Sequence, residues 1–191
     1  VLANYGFDDF EGGHTSSPVQ DPTDAINTVV QVIKTCGETC QVWAGTTIAK
    51  SLVIYPLTET ETVMTVRVWS PAVGVTVRLK LEESDDVTHT VETDAVTTVA
   101  ETWETLTFDF SNPATNNGAA TSPLNTSYVF DTLSIFLNYG VLGTGETYYY
   151  DDIKFIGAGA APTAPTASAP APSADAANVV SIFSDAYTDL E

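Results

Sequence analysis

Residues Met64–Glu82 read MTVRVWSPAVGVTVRLKLE. Met64, Val66 and Val68 alternate with Thr65, Arg67 and Trp69; Val75, Val77, Leu79 and Leu81 alternate with Thr76, Arg78, Lys80 and Glu82. A strict period of two marks a strand with one face buried and one solvated. Ser70-Pro71 and Gly74 are turn residues, so the stretch predicts a β-hairpin. Its aliphatic face belongs to a core. Its other face gathers Arg67, Arg78 and Lys80, three of the six basic residues in the chain, beside Trp69 and Glu82.

The same pattern recurs outward from this stretch. Strand material is expected at Leu2–Glu11, Asn27–Thr35, Gln41–Trp43, Thr46–Tyr55, Val87–Thr93, Thr97–Val99, Trp103–Phe110, Tyr128–Tyr139 and Thr147–Phe155. Leu106, Phe108 and Phe110 share one side of their strand, and Leu133, Ile135 and Leu137 share one side of theirs. Residues 14–26, with Pro18 and Pro22, and residues 111–126 read as loops. About ten short antiparallel strands separated by turns predict an all-β sandwich, best fitted by a jelly roll. A composition that is 43% hydrophobic and 10% aromatic supplies a core and suits strands.

Composition changes after residue 156. Residues 157–174 are wholly Gly, Ala, Pro, Thr and Ser, so 157–176 is expected to be a linker. Residues 177–191 turn apolar again and read as the start of a following domain. The expected plan is a sandwich over 1–156, monomeric, within a multidomain chain.

Twenty-five acidic residues against six basic ones give a net charge of −19. Such a chain repels phosphate backbones and anionic membrane surfaces, so nucleic acid and membrane insertion are not expected. Cys36 and Cys40 in TCGETC lack His partners at zinc-site spacing and are expected to form a tight disulfide. That points to a secreted or cell-surface protein.

Two constellations carry chemistry. Asp8, Asp9 and Glu11 near the start and Asp151 and Asp152 near the end would meet if the terminal strands were neighbours. Carboxylates brought together need a hard cation, and Ca²⁺ takes oxygen ligands. Asp9, Glu11 and Asp151 are the expected metal ligands. Asp151 shares parity with Ile153 and Phe155, which would make it an inward carboxylate, costly unless paired or metal-bound. The bland alternative is a set of solvated acids.

The second constellation is the polar face of the hairpin. Sugar rings stack their C–H faces on aromatic rings, and their vicinal hydroxyls are bridged by planar hydrogen-bonding groups. Trp69, Arg67, Arg78, Lys80 and Glu82 supply that inventory. His89 and Glu92 come from the following strand with opposite parity, so only one of them can share the face; Phe136 and Asn138, opposite the Leu133/Ile135/Leu137 stripe, are positioned to join it. The bland alternative is a solvated face with cross-strand ion pairs, each worth little. GVLGTG at 140–145 precedes a strand rather than a helix and reads as a turn, not a phosphate loop.

FDDFEGG, WSPAVGVTVRLKLEES, THTVETD, WETLTFDF and YYYDDIKF together resemble a non-catalytic carbohydrate-binding module of the jelly-roll type, like family 4 and its relatives in marine bacteria. The resemblance covers residues 1–156. It implies a structural calcium at Glu11 and Asp151, and polysaccharide binding either in a groove across one sheet or at edge loops. It also implies a β-1,3-glucan such as laminarin, with an anionic algal glycan such as alginate or a sulfated galactan as the alternative ligand. A jelly-roll hydrolase or lyase is the competing activity.

Overall fold

The computed structural model describes residues 6–12, 14–35, 40–50 and 54–156. The Cys36–Cys40 pairing, the linker and the 177–191 segment expected above lie wholly or partly outside these residues. Twelve strands are present among the described residues, and all pair antiparallel. They are β1 (Asp8–Phe10), β2 (Thr15–Asp21), β3 (Asp24–Lys34), β4 (Gly45–Lys50), β5 (Val63–Trp69), β6 (Thr76–Glu83), β7 (Asp86–Val96), β8 (Trp103–Asp109), β9 (Thr115–Asn116), β10 (Ala119–Ala120), β11 (Thr132–Leu137) and β12 (Glu146–Ile156). A front sheet has the order β1-β4-β11-β6-β7, and a back sheet the order β2-β3-β12-β5-β8. The protein is a β-sandwich of the jelly-roll kind, with β9–β10 as a separate small hairpin.

The core lies between the sheets. Met64, Val66 and Val68 from β5 and Val77, Leu79 and Leu81 from β6 are at most 1% exposed. Leu106, Phe108 and Phe110, and Leu133, Ile135 and Leu137, join them as their alternation predicts.

The hairpin expected at Met64–Glu82 does not form. β5 sits between β12 and β8 in the back sheet; β6 sits between β11 and β7 in the front sheet. Ser70–Val75 therefore crosses from one layer to the other. Alternation shows which residues face inward, but two aliphatic faces satisfy it equally well side by side or opposed across a core. The crossing is held by other partners: Gly74 N donates to Thr97 O at 2.8 Å, Thr97 N to Val75 O at 3.0 Å, and Glu101 N to Ser70 O at 2.8 Å.

Two further departures have physical causes. Thr15–Asp21 is a strand despite Pro18, because β2 is an edge strand and Pro costs no ladder bond on the solvent side. In β12, Tyr148 and Tyr150 face inward, and so do Ile153 and Phe155. The phase slips at a bulge between Asp151 and Lys154, where Asp152 has φ of 50°. Asp151 therefore faces outward, and the inward carboxylate expected from its parity with Ile153 is not there.

Candidate functional site: a cleft across the front sheet

Two rows of residues cross the outer face of the front sheet. Cross-strand register places Asp8, Thr47, Ser134, Lys80 and Glu92 in line, one from each of the five strands. This is a polar row. In the neighbouring row Phe10 is opposite Gly45, and Phe136, Arg78 and Asp94 are opposite one another in turn. The rings of Phe10 and Phe136 meet edge-on, with centroids 5.5 Å apart. Gly45 makes that contact possible: a Cβ there would lie 2.7 Å from Phe136 Cδ1 and 2.8 Å from Phe10 Cζ.

The rows floor an open cleft of about 350 Å³, at the small end of the ~300–1,000 Å³ usual for ligand sites. Phe10, Phe136, Tyr139 and Trp43 supply its aromatic lining, and Trp43 is 46% exposed. Thr47, Ser134, Lys80, Glu11, Glu82 and Glu92 supply its polar lining. Lys80 Nζ is 2.7 Å from Glu82 Oε1, so the cleft's lone lining cation among the described residues is already paired, and carboxylates are in excess.

Arg78 lies on the same outer face beside the cleft but is covered by its partners, 1% exposed. Its guanidinium donates to Asp94 Oδ1 and Oδ2 at 2.6 and 2.8 Å, to Glu92 Oε2 at 2.8 Å, to Asn116 Oδ1 at 2.7 Å and to Thr115 O at 3.1 Å. It also stacks 3.7 Å from the centroid of the Tyr139 ring. Burial works against its charge, but the Asp94 hydrogen bonds and the surrounding charges outweigh it and raise its pKa.

The predicted sugar-binding residues are divided. Lys80 and Glu82 line the cleft, and Arg78 lies covered beside it. Trp69 and Arg67 are on the opposite side of the molecule, on the outer face of the back sheet. There the Trp69 ring meets Tyr149 edge-on at 5.3 Å, and Arg67 lies 4.0 Å over the Trp103 ring. The single face expected to hold Trp69 with Arg78, Lys80 and Glu82 does not exist, because β5 and β6 belong to different sheets. His89 is stacked on Tyr128 at 3.7 Å, with Nδ1 2.8 Å from Glu83, and is not among the cleft's lining residues. Asn138 adopts φ of 52°, and its carbonyl accepts from the buried Lys34 Nζ at 2.5 Å. It fixes the backbone just before Tyr139.

The expected calcium ligands are not brought together. β1 pairs with β4 in the front sheet, while β12 lies in the middle of the back sheet. Asp9 accepts from Ser16 N, Ser16 Oγ and Thr46 Oγ1 at 2.8, 2.7 and 2.6 Å. Burial opposes its charge, yet those hydrogen bonds hold its pKa below the usual carboxylate value. Asp151 accepts from Asn27 at 3.1 Å and faces Arg67 at 3.7 Å. Glu11 lines the cleft. Among the described residues no cluster of three or more His, Cys, Asp or Glu side chains suits a metal ion. These three residues do not fit one Ca²⁺ site.

Asp151 belongs to a node that seals the back face. Asp21, at the end of β2, accepts from Thr23 N and Oγ1 at 2.8 Å each, from Trp103 Nε1 at 3.1 Å and from Arg67 at 3.3 Å. β2 and β8 are opposite edges of the back sheet, so the far part of the β2–β3 hairpin reaches across that sheet. Burial alone would raise the Asp21 pKa, but the Thr23, Trp103 and Asn27 hydrogen bonds bring it down to about 2.

Tyr139, Trp43 and the β9–β10 hairpin are not among the residues to which the sequence pattern points. Asn117-Gly118, with φ of 51° and 82°, is the dipeptide that type I′ hairpins require. It was the signal available within the presumed loop 111–126.

Several carbohydrate-binding modules share this two-layer sandwich fold. The family 11 module of the cellulase Lic26A-Cel5E of Clostridium thermocellum superposes with a TM-score of 0.54 at 15% identity, over 83% of this chain and 90% of that one. The family 11 module from the same organism in complex with a β-1,3-1,4-mixed-linked tetrasaccharide gives 0.55 at 16% identity, over 82% and 90%. A family 30 module gives 0.51 at 13%, over 81% and 80%. At these identities the likeness establishes the fold. The sequence matches no family model and no curated protein.

Proposed function

We propose that the chain is a non-catalytic polysaccharide-binding module whose site is the front cleft, and that its ligand is a neutral β-glucan. The observation that carries this reading is an open cleft whose aromatic lining, Phe10, Phe136, Tyr139 and Trp43, lies beside a polar row that crosses all five strands. A sugar chain has the matching anatomy, with apolar C–H faces and an edge of hydroxyls. Aromatic side chains contribute large contact area at low entropic cost. The excess of carboxylates favours a neutral glycan over alginate or a sulfated galactan, whose charges would be repelled. The likeness to a module solved with a mixed-linkage β-glucan fragment supports β-1,3-1,4-glucan beside laminarin as the ligand. Glu82 and Glu92 are each engaged by a cation, at Lys80 and Arg78, which supports binding rather than bond cleavage. The linker composition of 157–176 and the Cys36/Cys40 pair support a place in a multidomain, secreted or cell-surface protein.

Affinity electrophoresis tests this directly. Laminarin or mixed-linkage β-glucan in the gel is expected to retard the chain, alginate to leave it unretarded, and no new reducing ends to appear. Trp43→Ala and Tyr139→Ala are each expected to weaken binding by roughly 30-fold, the loss typical of an aromatic anchor. Full retention in both variants would overturn the cleft as the site.

A further inference from the structure

We propose that Arg78 is a positioning residue for the glycan site: its buried guanidinium fixes the ring of Tyr139 at the cleft and ties it to the β9–β10 hairpin, which braces Tyr139 from behind the lining. The proposal rests on the reading of the cleft as the glycan site.

The hairpin cannot hold itself. It has two residues in each strand, all exposed, and an isolated ribbon of that length is not stable in water. Its anchors lie outside it. Ala114 N donates to Glu92 O at 2.7 Å, and Thr121 N to Ala114 O at 2.7 Å, which pins the base. The tip side is held by Arg78 through Asn116 Oδ1 and Thr115 O. Tyr139 then donates its hydroxyl to the same Asn116 Oδ1 at 3.0 Å. One acceptor thus serves the guanidinium and the phenol together.

Tyr139 is fixed in two further ways. Arg78 covers one face of its ring, and Phe136 meets the ring in a T-shaped contact at 5.7 Å. A stacking platform that is already immobile loses little side-chain entropy when a ligand arrives. Arg is suited to this task and Lys is not. The planar fork bonds Asp94 bidentately while its plane stacks on Tyr139, whereas an ammonium carries the same charge without the fork or the plane. Asp94 and Glu92 balance the buried charge, so the clamp needs nothing from the ligand. Arg78 therefore acts on the sugar through Tyr139 and Asn116, not by touching it.

The test uses the 191-residue chain with soluble mixed-linkage β-1,3-1,4-glucan as probe. Arg78→Lys keeps the charge and is expected to weaken binding about tenfold, while adding less than about twofold in a Tyr139→Ala background, because the two residues act as one unit. Native-state hydrogen exchange gives a readout that needs no glycan. Amides of residues 115–120 are expected to exchange at least about tenfold faster in Arg78→Lys, with those of β5 and β11 unchanged. Asn116 is exposed, so Asn116→Ala spares the buried charges; it is expected to accelerate the same amides and to weaken binding about threefold. Unchanged exchange at 115–120 in both variants overturns the clamp. So does an Arg78→Lys binding loss as large without Tyr139 as with it, which would mark a merely structural role. If Trp43→Ala and Tyr139→Ala lose retention while Arg78→Lys keeps it, the positioning role alone fails. If neither aromatic variant loses retention, the cleft reading fails and the role of Arg78 in binding falls with it.

Discussion

The two outer faces of the sandwich are built from nearly the same inventory and do opposite things with it. Each has aromatic rings, an arginine stacked on one of them, and carboxylates. On the back face Trp69, Tyr149 and Trp103 pack against one another, Arg67 covers Trp103, and the Trp103 N–H is taken by Asp21 and Thr23. The β2–β3 hairpin closes over the set. On the front face the arginine is buried beneath Tyr139 and the β9–β10 hairpin, its partners come from the neighbouring strand and that hairpin, and Trp43 and Tyr139 are left to line an open cleft. A sugar-binding inventory is therefore not a sugar-binding site. What decides is whether the ring faces and hydrogen-bond groups have been used up internally.

That contrast can be broken in several ways. The largest effect is expected from Asp21→Ala, which takes an acceptor from Arg67, the Trp103 N–H, Asn27 and Thr23 at once. A loss of roughly 3–5 kcal/mol is usual when one partner of a buried charged pair is removed, and the exposure of Arg67 places this case at the lower end. Urea denaturation measures it. Glycan retention of the folded fraction is expected to stay normal, and lost retention would show that the faces are not independent.

Acid should act on the two sides in different windows. His14 is buried under the front sheet, with Nδ1 3.1 Å from Thr46 Oγ1, and burial and the Lys34 charge push its pKa down to about 4, against the pull of Asp9. Between pH 6.5 and 4 the unfolded chain takes up a proton that folded His14 refuses, so stability falls as pH drops through this window. At about 1.36 kcal/mol per pH unit the loss is about 3 kcal/mol. His14→Gln should flatten the curve there. The Asp21 contribution has the other origin: its depressed pKa leaves it intact above about pH 4 and removes it between about pH 4 and 2. Thermal melts across pH 2–7 resolve the two.

A smaller effect is expected at Gly45. Gly45→Ala forces apart Phe10 and Phe136, at an overpacking cost of about 1–3 kcal/mol, and should weaken glycan retention together with stability. The smallest is Trp69→Ala, which truncates a back-face ring. Its binding is expected to stay within about twofold of the parent, the noise of near-neutral positions. A collapse of binding would return the site to the back face.

Much of the sandwich is legible in single strands. The stripes Met64/Val66/Val68, Leu79/Leu81, Leu106/Phe108/Phe110 and Leu133/Ile135/Leu137 all face the core as alternation requires. Pairing is not legible in the same way. The front sheet joins β4 to β11 and the back sheet joins β3 to β12, segments far apart in the chain, and local period carries no record of either pairing. Lys80 and Glu82 were identifiable because they lie on a clearly alternating strand. Trp43 follows the cysteine loop and Tyr139 follows a positive-φ turn, where no period applies. Their partnership with Phe10 and Asn116 arises only when five strands and a small hairpin are assembled.

The bulge in β12 has a consequence for how this chain tolerates change. The strand carries two alternations out of phase, joined at Asp151–Asp152, so its two halves address the core independently. Side-chain identity at 152 matters little beyond tolerance of positive φ, which Asn and Gly share with Asp. Nor does residue count decide which side chains face inward. Omitting Asp152 would remove the bulge and leave one unbroken alternation, with Asp151 outward and Ile153 opposite the buried Val66, so Ile153 and Phe155 would still face the core. What the extra residue supplies is the local bend of the strand, and the fold's inside and outside are indifferent to it.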